Sequence, residues 1–462
     1  MKRFSYLDLV QELLPPDEFE DFQQQYTTPI QKSVKIIRKK ISEEDFEKEA
    51  KTLTLHQGNF TAWGKKLDDL VFVDNQEKIG LWSHRLHQLG YFYVQEYAAW
   101  FPVQTMHFAE NEMILEMCAA PGGKTIQILD KIAPSCTLIS NEINPQRRKA
   151  LLSNCERCWN EQIAITGYDG RMLWNLFFET CDQVLLDAPC SGEGMQYKSD
   201  FKIFSWNEKE VRKIANLQQE LLISGLKALK VWGMLTYSTC TTNPIENEMN
   251  LQKILETYSW KLELLPVEID QKSPWIQQWR DFVFSEESAQ KVARFRPHQQ
   301  KTWGFFIAKL KKLAPLGEKK LSFQESFQSE SLWKITKNEK IWSFLKEKFG
   351  ISEEILRNYD LVESNLTIQL IPHHYEKLLK TGIFFDQIGM PILKKLPQDK
   401  FVPLDELAKI LWTFATQNVQ DLSFEEAKKR VESKNISLSS ESQGKYLILR
   451  WKGKGIGIFS RK

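Results

Sequence analysis

Two apolar runs in this 462-residue chain stop abruptly in small residues that include one cysteine each. One is Leu185-Leu186-Asp187-Ala188-Pro189-Cys190-Ser191-Gly192-Glu193-Gly194-Met195, and the other is Tyr237-Ser238-Thr239-Cys240-Thr241. An apolar run that ends at Asp, Pro or Ser/Thr reads as a buried parallel strand delivering side chains at its carboxyl edge. In open α/β sheets that edge is where ligands sit. Two such strands bring two thiols and one carboxylate to the same rim. That set suits covalent chemistry with an acid partner.

The surrounding pattern supplies the sheet. From Met113 onward, strands and helices alternate, which predicts a doubly wound α/β fold. Met113-Ile-Leu-Glu-Met-Cys118 reads as the first strand, and Ala119-Ala120-Pro121-Gly122-Gly123-Lys124-Thr125 as a tight turn opening a helix. Thr137–Glu142 is the second strand, ending in an acid about 20 residues after the glycines, the spacing of a ribose-binding carboxylate. Asn144-Pro145 starts the next helix, because proline is favoured in a first turn. Ile163–Asp169 is the third strand and again ends in an acid, and stretches 263–268 and 302–309 close the sheet. Further on, Gly382–Gly389 suggests a hairpin, Phe401–Ala415 an amphipathic helix, Ser423–Glu426 a capping box, and Tyr446–Phe459 two strands about a turn.

Composition narrows the setting. Seven cysteines, an odd number over a long chain, argue against a disulfide framework and for a reducing cytoplasm. Cys155-Glu-Arg-Cys158 lies in a helical stretch with no second pair at zinc spacing, so it reads as structural and no metal site is expected. The first residues lack an apolar signal core, and no run reaches the ~18 apolar residues of a membrane span. The expectation is a cytoplasmic protein without a membrane partner. Net charge is only +2, so affinity for nucleic acid must come from local patches. Two candidates stand out: Lys32–Lys40, and Lys291–Lys312. The second holds Lys291, Arg294, Arg296, Lys301, Lys309, Lys311 and Lys312 with no acid between, and interleaves Phe295, His298 and Trp303. Solvated faces are the plain alternative for both; phosphate contacts with base stacking are the functional one.

The glycine turn with acids ending strands two and three describes a nucleoside-cofactor site. The turn is not Gly-x-Gly-x-x-Gly and lacks the spacing of a phosphate loop, so a cofactor without phosphates fits best. S-adenosylmethionine leads, with Glu142 on the ribose and Asp169 reaching the adenine. For a lone strand-end acid the plain alternative is a helix cap. The cysteines point to what is methylated. C5 of a pyrimidine is a poor nucleophile until a thiolate adds to C6, and an amino-group methyltransferase needs no thiol. Asp187, its pKa raised by partial burial, would supply or share the proton that helps this addition. An isolated cysteine is most simply a small buried residue; a pair at one rim is harder to explain that way. Residue chemistry alone does not say which cysteine attacks.

The stretches Cys118–Thr125, Asp187–Met195 and Ser238-Thr-Cys-Thr-Thr-Asn-Pro-Ile-Glu-Asn-Glu248 resemble the signature motifs of the Nop/Sun family of RNA cytosine-5 methyltransferases. The similarity runs from about residue 30 to 310, and the length and layout beyond it are similar to the RsmF subgroup, which modifies 16S ribosomal RNA. The resemblance implies a Rossmann-like S-adenosylmethionine-dependent methyltransferase sheet at 106–312. An N-terminal RNA-binding α+β region would occupy 1–105, a linker 313–331, and a small C-terminal PUA-like α+β domain 332–462. It implies Cys240 as the nucleophile and Cys190 as the thiol that assists release, with Asp187 beside them. Cofactor contacts would fall to Cys118, Ala119, Ala120, Pro121, Gly122, Gly123, Lys124, Glu142, Asp169 and Asp187. The partner would be RNA, 16S rRNA or the small ribosomal subunit, met by a monomer. Where the family usually shows an Arg-x-Asn pair, this chain has Lys35 and Ile37. Transfer RNA as substrate, and a non-catalytic RNA-binding assembly factor, are the competing readings. A dinucleotide oxidoreductase is disfavoured by the turn and by two thiols without a role in it.

Overall fold

The computed structural model describes residues 4–25, 28, 30, 32–53, 70–73, 81–158, 161–195, 206–270, 272–273, 276–318, 333–423, 426–427, 429–430 and 444–461. Residues 319–331 of the expected linker, and Leu332, lie outside these. After helices Tyr6–Leu13 and Pro16–Gln25, three strands form an antiparallel sheet of order β2-β1-β3: β1 (Lys32–Ile36), β2 (Leu70–Val73) and β3 (Phe92–Val94).

The central sheet has nine strands. Its parallel part runs β6-β5-β4-β7-β8, from β4 (Met113–Glu116), β5 (Thr137–Asn141), β6 (Ala164–Thr166), β7 (Cys181–Asp187) and β8 (Leu229–Thr239). β9 (Leu262–Leu265) follows, and a small hairpin of β10 (Gln278–Trp279) and β11 (Phe282–Val283) stands apart. β12 (Ala293–Phe295) and β13 (Phe305–Lys312) are antiparallel, with β13 pairing both β8 and β9. The parallel strands are continuous apolar runs because both sheet faces are covered; Val184, Leu185, Leu186, Leu235 and Tyr237 are wholly buried. Strand order turns back at β4, between β5 and β7, so the crevice that binds ligands in such sheets opens above the ends of β4 and β7. Asn144 caps the helix after β5 by accepting from the backbone N–H groups of Gln146 and Arg147, with Pro145 in its first turn. Among the described residues no helix is long and apolar enough to cross a membrane.

The C-terminal half departs from its sequence reading in two places. Gly382–Gly389 is not a hairpin: β17 (Gln387–Ile388) pairs antiparallel with β6 and becomes the ninth strand of the central sheet. Phe401–Ala415 is not one helix, since β19 (Lys400–Pro403) precedes a short helix, Asp405–Leu411. Pro403 cannot sit inside a helix, and the alternating burial of Phe401 and Pro403 belongs to a strand. The remaining strands are β14 (Lys334–Ile335), β15 (Tyr359–Glu363), β16 (Thr367–Pro372) and β18 (Met390–Leu396), which join β19 in a five-stranded sheet. β20 (Val419–Asp421), β21 (Tyr446–Trp451) and β22 (Lys454–Ser460) make a further sheet.

This half is tied into the central core. Tyr375, Ile383, Phe385 and Ile388 belong to the same buried cluster as β7 and β8, and the Tyr375 hydroxyl accepts from Leu138 N at 3.0 Å. Leu447, Leu449 and Trp451 pack on Val34, Phe46 and Phe92 of the N-terminal region. A chain ending at Lys312 therefore exposes the β6 edge and uncovers side chains whose burial is worth roughly 1.5–3 kcal/mol each. It is expected to melt well below the full-length protein and to bind cofactor weakly. A truncated chain with an unchanged melting temperature would show that the packing contributes little.

Both basic stretches also read differently in three dimensions. Lys35 is wholly buried and pairs with Asp130 at 2.6 Å, and Lys40 donates to the Arg157 carbonyl at 2.8 Å, so these two lysines of the first run face inward, while Lys32, Arg38 and Lys39 stay exposed. In the second, Arg294 pairs with Glu248, Arg296 with Glu18, Lys312 with Glu179 and Lys291 with Glu287, while Lys309 donates to the Thr105 carbonyl. Phe295 is fully buried and His298 is held by Glu18. Most of those charges hold the fold together and are not available to phosphates.

Candidate active site

A cavity of about 700 Å³ lies above the ends of β4, β5, β7 and β8. Of the residues expected at a cofactor, Cys118, Ala119, Ala120, Pro121, Gly123, Lys124, Glu142, Asp169 and Asp187 line it, as do Cys190 and Cys240. Gly122 does not. Its φ of 107° turns the chain into the helix at Gly123, a conformation that glycine adopts without strain, and its space beyond Cα is taken by Leu151.

Three carboxylates at the strand ends have different surroundings. Glu142 is 3% exposed; one oxygen accepts from the Asn144 backbone at 2.9 Å. The other makes no hydrogen bond, and the Arg147 guanidinium stands 3.5 Å away. A buried oxygen left without a hydrogen bond in a cavity is costly unless a ligand hydroxyl completes it. Asp169 is engaged by Arg171 at 2.6 Å, which holds its carboxyl below the usual range, and it also caps the following turn. Its reach toward an adenine is shared with that ion pair. Asp187 is set by the register of β7 on β8, which puts it opposite Ser238. It accepts from Ser238 Oγ and from Lys124 Nζ, both at 2.7 Å. The sequence points to Asp187 as a partly buried acid that supplies or shares a proton with the base; the structure adds an ammonium, Lys124, and a hydroxyl, Ser238, as donors to its carboxyl.

The thiols of Cys190 and Cys240 lie 3.0 Å apart, both free. The hydrogen bond with Cys240 and then burial push the Cys190 thiol well above its ordinary value, favouring its neutral form. The loops carrying them are braced by close backbone packing. Gly194 N donates to the Cys240 carbonyl at 3.1 Å, Gly304 N donates to the Gly194 carbonyl at 3.0 Å, and a side chain on Gly194 would run into Gly304. Behind the Cys240 loop, buried Arg294 pairs with Glu248 and donates to the Thr242 carbonyl at 2.6 Å.

Sequence reasoning missed several lining residues. Glu116 ends β4 beneath the cavity, where burial lifts its carboxyl to about 7 while Thr125 and Ser140 donate to it. Tyr93, Gln95 and Glu96 come from the N-terminal region, Phe305 from β13, and Trp82, 62% exposed, stands at the mouth with Trp303. The only local signal for Glu116 is a lone acid inside the apolar stretch read as the first strand, Met113–Cys118. Nothing local marks Trp82 or Tyr93, which reach the cavity only through tertiary folding.

Residues 103–311 match the family described as 16S rRNA methyltransferase RsmB/F. The ribosomal RNA small subunit methyltransferase F of Erwinia tasmaniensis is 29% identical over 468 residues, covering 98% of this chain and 92% of that protein. The protein of the same name from Vibrio vulnificus is 27% identical over 466 residues, covering 98% and 93%. Among solved structures, a methyltransferase homologue from Pyrococcus horikoshii is 25% identical with a TM-score of 0.56, covering 66% of this chain and 94% of that one. NSun6 from the same organism, solved with SFG, shares the fold with a TM-score of 0.57 at 20% identity, covering 67% and 98%. Motifs, sheet order and these likenesses agree, and the chain belongs to the RsmB/F family of methyltransferases.

Proposed function

We propose that this chain methylates C5 of cytosine in 16S ribosomal RNA, using S-adenosylmethionine and a transient bond between Cys240 and C6 of the base. The observation that carries this reading is the pair of thiols 3.0 Å apart at the rim of the cavity, a feature that amino-group methylation has no use for. The cavity residues fit the methyl donor. The oxygen of buried Glu142 that makes no hydrogen bond suits a ribose hydroxyl, and Cys118–Lys124 supply a turn against which the rest can lie. When bound, S-adenosylmethionine supplies an electrophilic methyl group.

The residues of the chain do the rest. The Cys240 thiolate adds to C6, forming an S–C bond and making C5 an electron-rich enamine carbon. Asp187, anchored by Lys124 and Ser238, sits at the same rim to hold the base edge. After C5 has gained its methyl group, its proton passes to solvent water, the C5–C6 double bond re-forms, and Cys240 leaves as the thiolate, hydrogen-bonded by the Cys190 thiol. Cys190, kept neutral beside Cys240, acts in this last stage. The cytosine must leave its stack to reach the rim, at a cost of a few kcal/mol, lowest in loops. Trp82 and Trp303 offer aromatic faces at the mouth for such an unstacked base. This substrate places the work in the cytoplasm. The C-terminal sheets are read as added RNA-binding surface.

Bisulfite sequencing of 16S rRNA with and without the gene tests the reading: a protected cytosine should lose protection on deletion and regain it on complementation. An unchanged 16S pattern with a changed transfer-RNA pattern would move the substrate. Glu142→Ala should weaken S-adenosylmethionine binding by roughly 1–3 kcal/mol, the cost of a charged hydrogen bond lost in a buried site. Calorimetry measures this directly, and an unaltered affinity removes Glu142 from the cofactor.

A further inference from the structure

Two acids that the mechanism does not use lie behind the thiols. Glu193 follows β7 in the Cys190 loop, Glu246 follows β8 in the Cys240 loop, and neither has any exposed surface. They meet over one residue, Ser191. Its hydroxyl touches Glu193 Oε2 and Glu246 Oε1, both closely. Glu193 Oε1 also accepts from Thr241 Oγ1 and, at 2.5 Å, from Asn243 Nδ2. Glu246 accepts from Asn243 Nδ2 at 2.7 Å, from Ser191 N at 3.1 Å and from Gln218 Nε2 at 2.7 Å.

Counting hydrogens decides what this arrangement requires. The Ser191 hydroxyl has one hydrogen and faces two carboxyl oxygens, so one of the two contacts needs its hydrogen on a carboxyl. The electrostatics agree. Burial and then the Glu193 charge lift Glu246 to about 7, as expected for two carboxyl groups crowded into one site. The other ionisable groups around the pair do not neutralise it. Cys190, Cys240 and Tyr237 are thiols and a phenol, Asp187 holds Lys124, and Glu248 holds Arg294.

We propose that Glu193 and Glu246 share one proton, and that this proton fastens the Cys190 loop to the Cys240 loop, making both acids positioning residues for the two thiols. The inference rests on the reading of those thiols given above. With both acids ionised, Ser191 can serve only one of them, the carboxylates repel, and the loops part.

The pair leaves two separate signatures. In the unfolded chain both acids titrate near 4.3, whereas the folded pair keeps a proton to about 7. The folded state therefore binds more protons than the unfolded one between those values, and stability falls as pH rises through that window. Glu193→Gln puts an amide N–H where the shared proton is needed, and its oxygen still serves Thr241 and Asn243. The melting-temperature offset between wild type and Glu193→Gln should thus shift in the variant's favour from about pH 5 to about pH 7.5. In methylation assays the wild-type kcat should fall about tenfold per pH unit above the pair's apparent value, and the variant should lose this limb while its KM for S-adenosylmethionine stays.

A pH-independent melting offset overturns the shared proton. A shifting offset with an alkaline kcat limb that persists in the variant overturns the positioning role. A wild type that methylates no RNA overturns the enzyme reading instead, and the melting offset still decides the proton. Should that variant not fold, Glu246→Gln takes its place: its infrared carboxylic-acid C=O intensity at about pH 6.5 should be lower than that of wild type, and equal intensity counts against the pair.

Discussion

Cys240→Ala should abolish methyl transfer, by about 10⁴-fold or more, while leaving S-adenosylmethionine binding close to wild type. The size follows from the chemistry: without a sulfur to add to C6, C5 never becomes nucleophilic, and no neighbouring group replaces a covalent nucleophile. The selectivity follows from position. Cys240 lies at the end of β8 on the thiol side of the cavity, whereas Glu142 and the Cys118–Lys124 turn belong to β4 and β5. Alanine removes one partly buried sulfur and leaves the Gly194–Cys240 backbone bond in place, so folding is little affected. Single-turnover methylation beside calorimetry separates the two effects. Residual turnover within tenfold of wild type would mean that another group attacks C6.

The parts of this fold that were legible in the sequence share one property: their signal is local. β7 and β8 are apolar runs with sharp ends, and the Asn144-Pro145 start of a helix is written in two adjacent residues. Strand-end acids and cysteines follow directly, which is why nearly all the expected site residues line one cavity. What stayed hidden depends on partners far away along the chain. The Lys291–Lys312 stretch looks like a charged surface because Glu248, Glu179 and Glu18, which take up Arg294, Lys312 and Arg296, stand elsewhere in the sequence. β17 has two residues and no strand signature of its own; its identity comes from the open edge of β6. The helix expected over Phe401–Ala415 arose from apolar residues that keep a helical spacing across Pro403, where a strand ends.

The same distinction explains the active-site acids. Asp187 is visible as an acid at a strand end, but its donors Lys124 and Ser238 come from a helix start and from the neighbouring strand. Glu246 and Glu193 lie in motifs that sequence reading recognises, yet their meeting over Ser191 exists only in three dimensions. A sheet that brings successive loops to one edge makes pairs of motifs, and the chemistry belongs to the pairs.

The second large effect separates the two thiols. Cys190→Ala should leave the first bond-forming step intact, because Cys240 keeps its place at the end of β8, held from behind by Arg294 and Glu248. What is lost is the neutral thiol 3.0 Å from Cys240 at the stage when the C5 proton must leave and the S–C6 bond must break. The variant should therefore accumulate a covalent protein–RNA species, seen as a slowly migrating band that survives denaturing gel electrophoresis, while multiple turnover collapses to about one methyl group per enzyme. The Cys190→Ala, Cys240→Ala double variant should show no such band, since in the proposed mechanism the bond runs through Cys240. Treatment with ribonuclease should return the band to the mobility of the free protein carrying a short nucleotide remnant. A band formed by Cys240→Ala and absent from Cys190→Ala would reverse the two roles, making Cys190 the nucleophile and Cys240 the residue that releases the RNA.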